Sequence, residues 1–215
     1  KICMYERKSS FDTYRLSHRI VIDIERNEPI AYCGNLHFNK EQSGNQVDII
    51  RSPRSTGSIL KPFLYYVLLQ EGELLPHTLV PDIPININGF APQNFSQQFE
   101  GAVPASEAIA RTLNIPTVPL LQHYSVPKFY NFLKEIGLTT LNRPASHYGL
   151  SLILGGAEGT LWDITTAYAD MARSLKGLDH TYVPSPTPIP HPSPSPTYFN
   201  REESGKPSKP SRRST

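Results

Sequence analysis

From Pro184 to Pro196 every second residue is proline, with mostly Ser and Thr between them. Proline has no backbone N–H to give to a helix or an inner strand, so this tract can join neither. It also has little apolar mass to bury, and residues 183–215 are expected to form a Pro/Ser-rich disordered or polyproline-like tail. Whatever folds lies upstream. Residues 1–17 mix charges and aromatics without a clear period and read as the remnant of a preceding segment. Residues 18–182 remain as one domain, long enough for a single good-sized core.

With 38% hydrophobic residues and a formal charge of +2, the chain has no basic excess of the kind that marks nucleic-acid binding. No apolar run approaches the roughly 20 residues that a membrane helix needs, and no signal-peptide pattern is present. The sequence starts at Lys1, so an export signal or anchor is expected to belong to a longer protein. Cys3 and Cys33 are the only cysteines, and their spacing matches no metal site. Cys33 follows the apolar pattern of a strand and reads as a small core residue, with a disulfide to Cys3 left open.

The β-rich runs Arg19–Ile24 and Ile30–Gly34, separated by the polar residues 25–29, suit a hairpin. Val47–Ile50 reads as a short extended approach to the next segment. Residues 72–104 are rich in Pro, Asn and Gly and predict a long ordered connection. Helix is expected at Ala105–Arg111, ending near residues 112–116 because Pro116 disfavours helix at Ile115. Pro127 and Gly137 bracket another helix, and Thr160 is a candidate cap for Leu161 through Leu175. Phe129, Phe132, Ile136, Trp162, Ile164 and Tyr168 are expected in the core, with no cofactor role.

Between these elements lies Arg51-Ser52-Pro53-Arg54-Ser55-Thr56-Gly57-Ser58-Ile59-Leu60-Lys61-Pro62-Phe63. Gly57 permits a tight turn, and Ile59, Leu60, Phe63, Leu64, Val67 and Leu68 recur at helical spacing. Pro62 cannot donate to residue 58, so the helix is expected to begin near Ser58. Three residues further on, Lys61 lies one turn along the same face, where its amine can reach the Ser58 hydroxyl. Burial and the positive end of the helix dipole both favour the neutral amine, which can accept the hydroxyl proton and make Ser58 a nucleophile. Ser-x-x-Lys alone is a common pattern, equally readable as an N-cap followed by a solvated lysine.

The block Arg54–Phe63, followed by Thr112-Leu113-Asn114 and Leu154-Gly155-Gly156-Ala157-Glu158, resembles the transpeptidase domain of penicillin-binding proteins, in particular bifunctional peptidoglycan synthases of the 1C type. The resemblance covers roughly residues 19–180, with the blocks in the right order. It implies an α/β (α+β) fold of the β-lactamase/transpeptidase kind, a helical lobe on a five-stranded antiparallel sheet, with the Ser58 helix between them. It also implies Ser58 as the acylated nucleophile, Lys61 as its base, Gly57 and Asn114 as substrate-binding residues, and Asn114 holding Lys61. Thr112 stands where the family has Ser and would pass a proton to the leaving amine. The family's third motif, Lys-Thr-Gly or Lys-Ser-Gly on a strand, has no counterpart anywhere in the sequence. The resemblance ends near His180 or Tyr182, so the sheet is expected to be incomplete, with an unpaired edge.

The function implied is a serine D-Ala-D-Ala transpeptidase that cross-links peptidoglycan stem peptides and is acylated by β-lactams, without metal or organic cofactor. The full-length family adds a glycosyltransferase portion, a membrane anchor, a periplasmic location and cell-wall synthesis partners. Two alternatives stand beside it. One is a D,D-carboxypeptidase or β-lactamase-like hydrolase, for which Glu100 and Glu107 stay open as deacylating carboxylates; the other is a truncated, non-catalytic fragment that keeps part of a penicillin or stem-peptide pocket.

Overall fold

The computed structural model describes the backbone of residues 2–7 and all of residues 18–34 and 48–178, together with the strand position of Ser17. The proline-rich tail lies outside these residues. Strands β1 (Ile2–Arg7), β2 (Ser17–Asp23) and β3 (Glu28–Cys33) form an antiparallel sheet in the order β1-β2-β3. The expected hairpin is β2–β3, with its register shifted between Val21 and Ile22. Ile2–Arg7, where no period is visible in the sequence, pairs with β2 from Ile2 opposite Ile22 to Arg7 opposite Ser17. Cys3 lies opposite Val21, and Val21 opposite Ala31. One strand therefore separates Cys3 from β3, and at about 4.8 Å per strand spacing this exceeds the reach of a direct disulfide to Cys33.

Ile49–Arg51 forms a 3-10 turn, not the expected extended approach, because the Asp48 carboxylate accepts from Ile50 N at 3.1 Å and caps it. The two-residue strand β4 (Arg54–Ser55) follows, then helix α1 (Lys61–Gln70). The connection over residues 72–104 carries two short strands, β5 (Leu79–Asp82) and β6 (Gly101–Pro104), paired antiparallel. Helix α2 (Ala105–Ala110) comes next, and α3 (Asn114–Tyr124) begins where helix was expected to stop. Pro116 falls in the first turn of α3, where an N–H has no partner within the helix, so its missing donor costs nothing there. Helices α4 (Val126–Glu135) and α5 (Ala145–Tyr148), strand β7 (Glu158–Gly159) paired with β4, and α6 (Leu161–Lys176) complete the order.

Helix α6 binds the sheet to the helical lobe. Trp162 and Ala169 pack with Ile20, Ile22, Ile24 and Ile50 on the sheet side. Ala167 belongs to the larger core that Phe63, Leu64, Leu121, Phe129 and Leu152 build among the other helices. The ends of α6 follow from sequence. Thr160 Oγ1 accepts from Asp163 N at 2.9 Å, and Gly177, at φ 69°, lets Gly177 N and Leu178 N close onto Ser174 O and Arg173 O. The buried Arg173 also donates to Ile24 O, fixing the last turn of α6 to the β2–β3 turn. Thr160→Ala is expected to cost about 1 kcal/mol and to lower Tm by roughly 2–4 °C in thermal unfolding followed by circular dichroism; an unchanged Tm contradicts the capping role.

Candidate functional site

Helix α1 starts at Lys61, one turn later than Ser58. The cause is Pro62, which has no N–H to close onto Ser58 O; Lys61 N takes that oxygen instead, at 3.1 Å, in a tighter turn. Ser58 thus lies half-buried in the turn just ahead of the helix, after Gly57 at φ 52°. Two contacts fix this turn. Tyr168 of α6 donates its hydroxyl to Ile59 O at 2.7 Å, and its ring lies 4.6 Å from that of Phe63.

The Leu154–Glu158 block supports the same turn from the other side. Thr56 N and Thr56 Oγ1 both donate to Ala157 O, at 3.0 and 3.2 Å, and Ser55 Oγ donates to Gly155 O at 2.8 Å. Gly155 has φ 96°, and a Cβ there would fall 2.9 Å from Gly57 Cα. Glycine is required for this approach of two backbones. The Gly-Gly-Ala-Glu sequence therefore acts as the wall against which the Ser58 turn is built.

Lys61 is fully buried. Its Nζ donates to three oxygens: Thr112 O at 2.7 Å, Leu113 O at 3.2 Å and Asn114 Oδ1 at 2.6 Å. These are all uncharged acceptors, and burial lowers the amine from its ordinary value of 10.5 to about 8. The structure thus brings Lys61, Thr112 and Asn114 together across α1 and the α2–α3 junction. Ser58 Oγ lies outside the set of groups bonded to Lys61 Nζ, whose three ammonium donors are all engaged by those oxygens.

Thr112 has φ 52°, a left-handed conformation that costs a β-branched residue of order 1–3 kcal/mol. This turn carries its carbonyl to Lys61 while the side chain stays exposed. Asn114 opens α3, and Asn114 Nδ2 donates to Gln93 O at 2.8 Å. Asn94, a residue the local sequence pattern does not mark, caps this helix from another part of the chain: Asn94 Oδ1 accepts from Asn114 N at 3.0 Å and Ile115 N at 3.3 Å. Glu100 and Glu107 are both paired with the Arg111 guanidinium, which holds the exposed Glu100 carboxyl below its ordinary range. No group of three or more His, Cys, Asp or Glu that could hold a metal ion occurs among the described residues.

Residues 19–176 match the penicillin binding protein transpeptidase domain. The chain belongs to this family. The sequence is 37% identical over 154 residues to penicillin-binding protein 1C of Escherichia coli (strain K12), a match covering 72% of this chain and 20% of that protein. Among solved structures, the penicillin-binding protein PonA1 of Mycobacterium tuberculosis superposes with a TM-score of 0.62 at 19% identity, covering 77% of this chain and 43% of that one. The same protein in complex with penicillin V gives 0.61 at 20% identity, covering 77% and 44%. These two share the fold, a β-lactamase/transpeptidase-like mixture of helices and antiparallel sheet, whose main sheet here has three strands among the described residues. The chain spans about a fifth of the length of the curated relatives it matches. No described helix of this penicillin-binding domain is long and apolar enough to cross a membrane.

The depressed Lys61 amine has a consequence for stability. Between about pH 8 and 10 the unfolded chain keeps a proton that folded Lys61 has released, so the unfolded state binds more protons and stability rises with pH. The rise attributable to Lys61 is about 2 kcal/mol across that window. Urea unfolding at both ends of the window is expected to show this rise in the native protein and its loss in Lys61→Met. Equal pH slopes for the two proteins contradict the burial account.

Proposed function

We propose that this chain is the serine acyltransferase part of a peptidoglycan D-Ala-D-Ala transpeptidase, with Ser58 as nucleophile and Lys61 as base. The observation that carries the reading is the buried Lys61 amine, lowered to about 8, one tight turn from the Ser58 hydroxyl. Loss of one proton from Lys61 leaves two N–H donors and a lone pair. Two of the three oxygens around Nζ then keep a donor, and the lone pair meets the Ser58 hydroxyl once the amine turns away from the third.

In this reading the Lys61 lone pair takes the Ser58 proton as Oγ bonds to the carbonyl carbon between the two terminal D-alanines of a stem peptide. The C–N bond breaks, and the leaving amine receives the proton that Lys61 took from Ser58. The Thr112 hydroxyl relays it only if this exposed side chain turns toward Lys61, which it meets through its carbonyl. A stem-peptide amine then attacks the ester and loses its proton to Lys61, the Oγ–C bond breaks, and Lys61 passes that proton to Oγ to restore the Ser58 hydroxyl. Asn114 orients Lys61 and a substrate amide, and Gly57 lets the backbone approach the substrate. β-Lactams follow the first half of this path, in keeping with the penicillin V complex of PonA1. By family the domain would act on the periplasmic side of the cell envelope, anchored through a part of a longer protein.

A second reading is a non-catalytic domain that retains part of the pocket. One observation favours it: all three Lys61 donors are turned to carbonyl-type oxygens. A hydrolase has less support. Its candidate carboxylates, Glu100 and Glu107, share one guanidinium, and the lowered Glu100 carboxyl is a poor general base.

Intact-protein mass after incubation with a penicillin separates these readings. Ring opening forms the Ser58 Oγ–C bond and breaks the lactam C–N bond without loss of atoms, so the expected gain equals the whole drug. Ser58→Ala is expected to abolish the gain. Folded native protein that gains no mass contradicts the acylating reading and leaves the non-catalytic one.

A further inference from the structure

The α2–α3 junction that meets Lys61 is itself held by two buried polar side chains from the long connection, Asp82 and Asn94, which are 1% and 3% exposed. Asp82 Oδ1 accepts from Asn94 Nδ2 at 2.6 Å, and Asp82 Oδ2 accepts from Glu100 N at 3.0 Å. The second Asn94 Nδ2 hydrogen goes to Gln98 O at 3.1 Å. A carboxylate and a carbonyl can only accept, so the Asn94 amide has one permitted orientation. Its Oδ1 must face the opening N–H groups of α3, where it meets Asn114 N and Ile115 N. The neighbouring Gln93 O orients the Asn114 amide in the same manner, turning Asn114 Oδ1 to Lys61 Nζ.

We propose that Asp82 and Asn94 are positioning residues for the Lys61–Asn114 pair: the Asp82 carboxylate fixes the Asn94 amide, which fixes the start of α3 and hence the oxygens presented to Lys61. Its catalytic meaning rests on the reading of Lys61 as the base for Ser58, whereas the arrangement around Lys61 stands on geometry alone. The oxygens meeting Nζ are two backbone carbonyls and one amide, all uncharged. Asp82 is three hydrogen bonds away through Asn94 and Asn114. The nearby charged groups on α2 and the β5–β6 connection, Arg111, Glu107 and Glu100, are exposed and paired with one another.

The test follows Lys61 itself, by nuclear magnetic resonance of its 13Cε against pH in lysine-labelled protein, with the signal assigned by Lys61→Arg. Asn94→Leu keeps the branched shape and the number of heavy atoms, though it is bulkier, and adds no charge, but leaves α3 without its cap. Loss of a well-placed acceptor destabilises the ammonium, so the Lys61 midpoint is expected to fall by roughly half a pH unit or more. Penicillin acylation is expected to slow by about tenfold. A folded Asn94→Leu protein with an unmoved midpoint overturns the proposal. A merely structural role lowers Tm and leaves the midpoint in place.

If Asn94→Leu does not fold, the smaller Asn94→Ala, which also removes the cap and adds no charge, decides the point. The midpoint must fall; an unmoved midpoint overturns the proposal. A native protein that is never acylated removes the transpeptidase reading, while the Lys61 titration still decides this one.

Discussion

The whole site depends on one buried cation. An ammonium removed from water is tolerated only when fixed dipoles replace its hydration, and Lys61 receives them from Thr112 O, Leu113 O and Asn114 Oδ1. No carboxylate contacts it. Uncharged oxygens offset only part of the desolvation, which is why its pKa falls to about 8, where neither protonation state dominates. A paired carboxylate would have held the proton, and an exposed lysine would have kept its ordinary value.

That requirement dictates the surrounding architecture. The left-handed Thr112 turns a carbonyl inward, the α3 start is capped by Asn94 from a distance, and Asp82 is buried to orient that cap. The Ser58 turn is formed on the opposite side, between Tyr168 and the Gly155–Ala157 backbone. Both sides meet at α1, which has Leu60, Lys61, Phe63, Leu64, Tyr65, Val67 and Leu68 buried around it, more than the single buried face its spacing predicts. A helix enclosed in this way can hold Ser58 and Lys61 at a fixed separation.

Local chemistry made part of this legible in the sequence. The hairpin, the Pro127 and Thr160 helix starts and the Gly137 end are signals carried by one or two residues, and the Phe129, Phe132 and Trp162 core follows from periodicity. Spacing and resemblance single out Ser58, Lys61 and Asn114, of which the structure brings Lys61 and Asn114 into contact. Helix α3 was hidden because Pro116 and Pro119 argue against helix, yet Pro116 falls where no donor is needed, and a tertiary core formed by Ile115, Val118 and Leu121 outweighs the single bond lost at Pro119. Asp82 and Asn94 left no local sign, because apart from Gln98 O their partners lie 12 to 21 residues away in sequence.

The central claim is that the neutral form of Lys61 activates Ser58. The most direct measurement is the rate of acylation by a penicillin, under single-turnover conditions, as a function of pH from about 6 to 9. The account predicts a rate that rises with pH and levels off with a midpoint near 8, set by the buried amine. A rate independent of pH across that range, with the protein folded throughout, contradicts it.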